Sequence, residues 1–162
     1  MFRSSKGLKG GQLERALRSD PITRKQFRGV WAVDLLPPSH RPGIYICNTA
    51  TSQDPGEHWI AFYFPSHGPV EFFDSMGHVP EYYQVAFQYF MIQKGRDYLY
   101  NCKQIQNYTT STCRYYCLYF AAQRCRGQSM IDIVKSFDSE NLSFNELKVV
   151  DFVDSHYSMK IL

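Results

Sequence analysis

Cys113 follows Thr109-Thr110-Ser111-Thr112 and begins a stripe of Cys113, Tyr116, Cys117, Phe120 and Ala121. The i, i+3, i+4, i+7, i+8 spacing predicts a helix, and the hydroxyl residues before it are good N-caps. A thiol at that point meets unpaired N–H groups and the positive end of the helix dipole. Both favour the thiolate, which is the nucleophilic form. For a lone cysteine the plainer account is a small apolar residue that starts the core face of the helix. His58 stands at the head of the apolar run 59–64, where a sheet rim would suit a general base. Asp74 closes the run 70–73. If these two runs form a hairpin, Asp74 comes beside His58, where it can orient the imidazole and stabilise its charged form. The competing account of Asp74 is a turn cap before Gly77. Gln106, seven residues before Cys113, ends a predicted strand. Its amide could donate to an oxyanion, with the Cys113 N–H as second donor. Each residue alone is ordinary. Their order, His, acid, Gln and Cys at three strand ends and a helix start, fits nucleophilic attack on an acyl group.

The elements that must carry these residues are readable along the chain. Residues 1–11 read as a flexible basic arm, and residues 12–19 as a short helix with Leu13, Ala16 and Leu17 on one face, stopped by Pro21. Residues 29–35 read as a short strand or turn. Residues 44–48, 58–64 and 70–74 read as strands, the last two joined across Pro65-Ser66-His67-Gly68-Pro69 as a hairpin. Residues 80–93 suit a helix with Pro80 in its first turn and Tyr82, Val85, Ala86, Tyr89 and Phe90 on one stripe. Residues 98–106 read as another strand. The Cys113 helix ends near Gly127, and two more helices are expected near 128–137 and 143–155. The expected fold class is α+β, a single domain over 1–162 with a small mixed or antiparallel sheet packed by helices.

Composition limits the function classes. A chain of 162 residues, 44% hydrophobic and 16% aromatic, has the length and composition of one well-cored domain and not of a disordered chain. No run approaches the roughly 18 apolar residues of a membrane span, and Met1-Phe2-Arg3-Ser4-Ser5-Lys6 does not open a secretory signal. The expectation is an intracellular, monomeric protein without a membrane role. Five cysteines without a CxxC speak against a disulfide framework or zinc knuckle, so no metal is expected. Residues 1–28 hold eight bases and two acids, a net +6 against −3 for the rest. Weak, salt-sensitive binding of DNA or another polyanion through 1–28 is therefore expected, against the plainer account of a solvated terminus.

The stretches His58-Trp59-Ile60-Ala61-Phe62, Glu71-Phe72-Phe73-Asp74-Ser75-Met76-Gly77, and Gln106 through Cys113 resemble the adenovirus maturation protease (adenain) family. That family reads His-Trp-x-Ala-Phe, an acid followed by x-x-Gly, and Gln with Cys seven residues on. Proteases of Maverick/Polinton transposons and virophages are relatives, as more distantly are the deconjugases of ubiquitin-like proteins. The resemblance covers roughly residues 26–126 and implies a papain-like cysteine protease. It makes His58 the base, Asp74 the third member, Cys113 the nucleophile, and Gln106 with the Cys113 N–H the oxyanion hole. Two positions depart from it: Arg114 stands where the family has Gly, and Asp74 where adenoviral enzymes have Glu.

What the resemblance implies is an endopeptidase that trims viral or transposon precursor proteins, capsid or core, after Gly-Gly or Gly-x during particle maturation. It would work in host cytoplasm or nucleus or packaged in the virion. The chemistry needs no cofactor. DNA or a peptide stays open as an activator, although the peptide-bearing cysteine of adenoviral enzymes cannot be placed, since Cys102 lies only four residues before Gln106. Leu8-Lys9-Gly10-Gly11 before Gln12 matches the family's preferred cleavage pattern and reads as a self-cleavage site. The alternatives are a deconjugase of a ubiquitin-like protein, for which the chain is short, and a catalytically silent binding module on the same fold.

Overall fold

The computed structural model describes residues 10–55 and 58–157. Five strands, β1 (Phe27–Ala32), β2 (Gly43–Asn48), β3 (Trp59–Phe64), β4 (Val70–Phe73) and β5 (Tyr98–Tyr100), lie side by side in that order. β2–β3 and β3–β4 pair antiparallel, while β1–β2 and β4–β5 pair parallel, so the sheet is mixed. Helices α1 (Gly10–Ser19), α2 (Pro21–Arg24), α4 (Cys113–Cys125), α5 (Met130–Lys135) and α6 (Leu142–Tyr157) gather on one face, and α3 (Val85–Ile92) covers the other. The class is α+β, a five-stranded mixed sheet packed by helices.

Alternation along the strands feeds both faces. Ile44, Ile46, Ala61 and Phe73 point to α4, whereas Tyr45, Cys47, Ile60, Phe62, Phe64 and Phe72 point to Phe87, Phe90 and Met91 of α3. Because both faces are covered, the central strands are nearly continuous apolar runs. α4 lies between the sheet and α1, α5 and α6, so it is buried almost all round. Phe120 stacks on Phe73 with ring centroids 4.5 Å apart. At the far end, Arg124 pairs with Glu71 of β4 at 2.9 Å and lies 4.2 Å from the centre of the Tyr63 ring. From Arg124 back to Cys113 the helix rises about 16 Å. The helix therefore runs opposite to β4, and its N-terminus comes out at the end where β4 stops and β3 begins.

Several elements differ from the sequence reading, each for a local reason. α1 takes in Gly10 and Gly11, which had been assigned to the flexible arm. The remainder of that arm lies outside the described residues. The Gly11–Gln12 bond proposed for self-cleavage is thus inside a helix whose Leu13, Ala16 and Leu17 are buried, not in an extended segment. Leu8 and Lys9 lie outside the described residues. Pro21 does not simply stop α1; it opens α2, capped by Asp20, whose side chain accepts from the Ile22 N–H. The expected helix over 80–93 divides into a 3-10 turn at Pro80–Tyr82, α3, and a further 3-10 turn at Gln93–Gly95. Gln84 leaves the helical path, with its Nε2 donating to Thr49 O at 2.6 Å. This break resets the phase: Phe87, Phe90 and Met91 face the core, while Val85 and Tyr89 are exposed. The expected strand 98–106 is cut to Tyr98–Tyr100. Beyond it Asn101 turns its side chain onto the Asp74 backbone, accepting from its N–H at 2.9 Å and donating to its carbonyl at 2.6 Å. Gln106 therefore stands on an irregular segment, held where the N–H groups of Ile105 and Gln106 both donate to Ser75 O.

Gly77 is where the turn after β4 meets that segment. Its φ is +74°, and a Cβ there would come within 2.8 Å of backbone atoms of Lys103 and Gln104. A side chain is opposed by both conformation and space. Gly77→Ala is expected to lower stability by about 1–3 kcal/mol, from the cost of a left-handed residue plus the displaced segment. Denaturant unfolding measures this, and a wild-type midpoint would show that the contact yields freely.

Candidate active site

Asp74, His58 and Cys113 meet at the end of the sheet. In the β3–β4 ladder Ala61 pairs with Phe73. Continuing that register sets Asp74 opposite Ile60, so Asp74 and His58 share a face on the diagonal. The diagonal closes as a hydrogen bond of 2.6 Å between His58 Nε2 and Asp74 Oδ1. Nδ1 is then the ring nitrogen left over, and Cys113 is near enough to act on the His58 imidazole and raise its pKa. Cys113 is the first residue of α4 and is buried. Its N-cap, Thr112, makes no side-chain capping bond.

Asp74 is fully buried, which for a carboxylate demands partners. Besides His58 it accepts from the Tyr83 hydroxyl at 2.6 Å on Oδ2 and from the Met76 N–H at 2.9 Å on Oδ1. Burial opposes its charge, but His58, Tyr83 and the Met76 N–H hold the carboxyl below the usual range. Burial and the Asp74 charge together push the Tyr83 phenol far up, so Tyr83 stays a donor. Its ring also lies near-parallel to that of His58, with centroids 6.0 Å apart. On His58, burial alone disfavours the imidazolium. The hydrogen bonds and charges of Asp74 and Cys113 outweigh it, and the pKa is raised to about 9.

Gln106 is fully buried and is oriented from both ends. Ser75 Oγ donates to its Oε1 at 2.5 Å, and its Nε2 donates to Thr110 O at 3.1 Å and Thr110 Oγ1 at 3.3 Å. Gln106, His58 and Cys113 line one cleft of about 710 Å³, together with Thr49, His78, Tyr82, Tyr83, Tyr108 and Ser111 among others. His78 sits across from His58, stacked on Tyr82 at 4.0 Å, with Nδ1 3.6 Å from Asp74 Oδ2. The structure thus brings three of the four sequence-selected residues, His58, Gln106 and Cys113, to one cleft, with the fourth, Asp74, buried behind His58. Arg114 reaches back to donate to Ser111 O at 3.2 Å.

Tyr83, Asn101 and Ser75 bond to Asp74 or Gln106, Glu146 accepts from Thr110 and Thr112, and none of the four was singled out in the sequence. Tyr83 followed Tyr82 in an assumed helix, and Asn101 was placed in an assumed strand. Ser75 had no signal beyond its place next to Asp74. Glu146 lies 33 residues beyond Cys113, and no spacing signal links them. Of the other thiols, burial pushes those of Cys47 and Cys117 well up, and that of Cys125 up to about 11. Cys125 is partly exposed, and Cys102 is exposed. Among the described residues no cluster of three or more His, Cys, Asp or Glu side chains could hold a metal ion. No protein-family model matches the chain, and no curated protein matches it.

The electrostatics give a signed expectation. Because the folded pKa of His58 lies above the unfolded value near 6.5, its contribution to stability is complete below about pH 6.5 and is lost as pH rises through about 9. The lowered pKa of Asp74 works oppositely, giving stability that is lost in acid. His58→Gln should therefore flatten the fall in melting temperature between about pH 6.5 and 9. In Cys113→Ala the His58 pKa, followed by NMR, should drop. An unchanged value would mean that the thiol and imidazole do not communicate.

Proposed function

We propose that the chain is a cysteine endopeptidase of the adenain type, with a papain-like arrangement of its site. The observation that carries this reading is the group Asp74, His58 and Cys113, in which the carboxylate takes Nε2, the thiol acts on the same imidazole, and a buried glutamine amide shares the cleft with both. A hydrogen-bonded thiol, base and orienting acid are what a covalent acyl-transfer site requires.

In the reaction the Cys113 sulfur attacks the peptide carbonyl carbon and its proton resides on His58. The carbonyl oxygen becomes an oxyanion, for which Gln106 Nε2 and the Cys113 N–H are the donors. In the unliganded site that Nε2 is engaged with Thr110, so the oxyanion gains it by displacing one of the two Thr110 acceptors. Collapse breaks the C–N bond, and His58 gives its proton to the leaving amine. Water, deprotonated by His58, then attacks the thioester and frees the acid and the thiol. No redox partner enters this balance. The substrates we propose are precursor proteins of a viral or transposon particle, cut after Gly-Gly or Gly-x, with DNA as an activator held by the basic N-terminal residues. Arg15, Arg18, Arg24 and Lys25 are exposed on α1, on α2 and just after it, in keeping with that role.

Cys113→Ala is expected to abolish cleavage of a fluorogenic Leu-x-Gly-Gly peptide while leaving the fold intact. Gln106→Ala should retain weak activity, losing about 10²–10³ in kcat, the range for one oxyanion donor. Cleavage by Cys113→Ala at the wild-type rate would refute the assignment.

A further inference from the structure

The segment from Ile105 to Cys113 carries the oxyanion donor at one end and the nucleophile at the other. Its middle, 107–112, has no regular structure and is turned at Asn107–Thr110 by its own bonds, so its placement on the fold needs support from outside. That support comes from two adjacent residues of α6. Asn145, fully buried, donates from Nδ2 to Ile105 O at 3.0 Å, the carbonyl just before Gln106. Glu146 receives the other end. Its Oε1 accepts from Thr110 Oγ1 at 2.9 Å, and its Oε2 accepts from Thr112 Oγ1. The Tyr116 hydroxyl, one turn into α4, lies 3.2 Å from Glu146 Oε1 and 3.1 Å from Ile105 O.

The direction of these bonds matters. A threonine hydroxyl has one proton. Thr110 has both Asn107 O and Glu146 Oε1 at 2.9 Å, and the charged acceptor makes the stronger bond. With its proton on Glu146, the Thr110 oxygen keeps its lone pairs for the Gln106 amide, 3.3 Å away. Thr112 likewise spends its hydroxyl on Glu146 and not on capping α4. One carboxylate therefore sets both the residue that orients Gln106 and the residue that precedes Cys113. Side-chain to side-chain bonds onto an irregular loop are uncommon supports in folded chains, and three hydroxyls on one carboxylate at this point are poorly explained by packing.

We infer that Glu146 is a positioning residue for the reaction, holding loop 107–112 so that the Gln106 amide and the start of α4 face one carbonyl oxygen. The inference rests on the endopeptidase reading above. Glu146 does not reach the reacting atoms, so its loss should act on turnover and spare binding.

The test uses the full chain with Glu146→Gln, Glu146→Ala and Thr110→Val, a fluorogenic Leu-x-Gly-Gly peptide, and amide hydrogen exchange. Glu146→Gln keeps the volume and one acceptor, so it is expected to fold and to lose about tenfold in kcat. Glu146→Ala should lose more, towards the ~100-fold that small misplacements cost. KM should stay within about twofold, since binding energy common to ground and transition states is untouched. Amides of 107–112 should exchange faster while those of β3 and β4 do not change. Thr110→Val should also lower kcat, and combining it with Glu146→Gln should cost no more than the worse single change, as for members of one network. A wild-type kcat in both Glu146 variants, a loss carried by KM, or additive losses would overturn the inference. If the wild-type chain cleaves no peptide and Cys113→Ala behaves identically, the endopeptidase reading falls. Exchange in 107–112 then decides the role of Glu146 alone, and rates unchanged in Glu146→Gln overturn it.

Discussion

The site is organised around a single buried carboxylate. Asp74 has no exposed surface, and a charge in that position survives only with several well-directed donors. Each donor comes from a different part of the chain. His58 comes from the start of β3, Tyr83 from the link before α3, and the Met76 N–H from the turn that follows. Asn101 adds a clamp on the Asp74 backbone from the end of β5. Satisfying this one group therefore ties the link before α3, the turn after β4 and the end of β5 to the sheet's end. Removing any single donor would leave the carboxylate short of partners, which is why the turn geometry at Gly77 and the early end of β5 belong to the chemistry as well as to the fold.

Most of the fold was legible because its signals are local. The β-rich stretch 44–48, the apolar run 58–64 and the stripe from Cys113 onwards report burial directly, and the elements found there match them. His58, Asp74, Gln106 and Cys113 were selected by residue type and order; three of them line the cleft, and Asp74 lies buried behind His58. The misplacements share a cause. Residues 80–93 and 98–106 carry enough aromatics to look continuous, yet a side chain diverts the backbone in each. Gln84 bonds to Thr49 O, and Asn101 to Asp74. Such bonds join residues 27–35 positions apart, a distance at which periodicity carries no information. The supporting residues were hidden for the same reason. Nothing in Asn145-Glu146 distinguishes it from an ordinary turn of an amphipathic helix until the loop it holds is in view.

One helix carries two thiols a turn apart, and their surroundings separate them. Cys113 and Cys117 point the same way along α4. Cys113 stands where the helix leaves the sheet and borders the cleft. Cys117 is one turn deeper, in the cluster with Ile44, Ile46, Ala61 and Phe73. Burial pushes the Cys117 thiol well up, and the nearby charges of Cys113 and Asp74 push it further, so it stays a small apolar filler. A displacement of one turn, about 5 Å along the axis, thus moves a cysteine from the cleft into the core. The position of α4 along the sheet decides which thiol borders the cleft. That position is set remotely, by the Phe120–Phe73 stack and the Arg124–Glu71 pair at the other end of the helix. A fork of two N–H groups on one carboxylate tolerates little sliding, and a flat stack of rings tolerates little more. The packing at the closed end of the helix and the chemistry at its open end are, in this sense, one constraint read at two places.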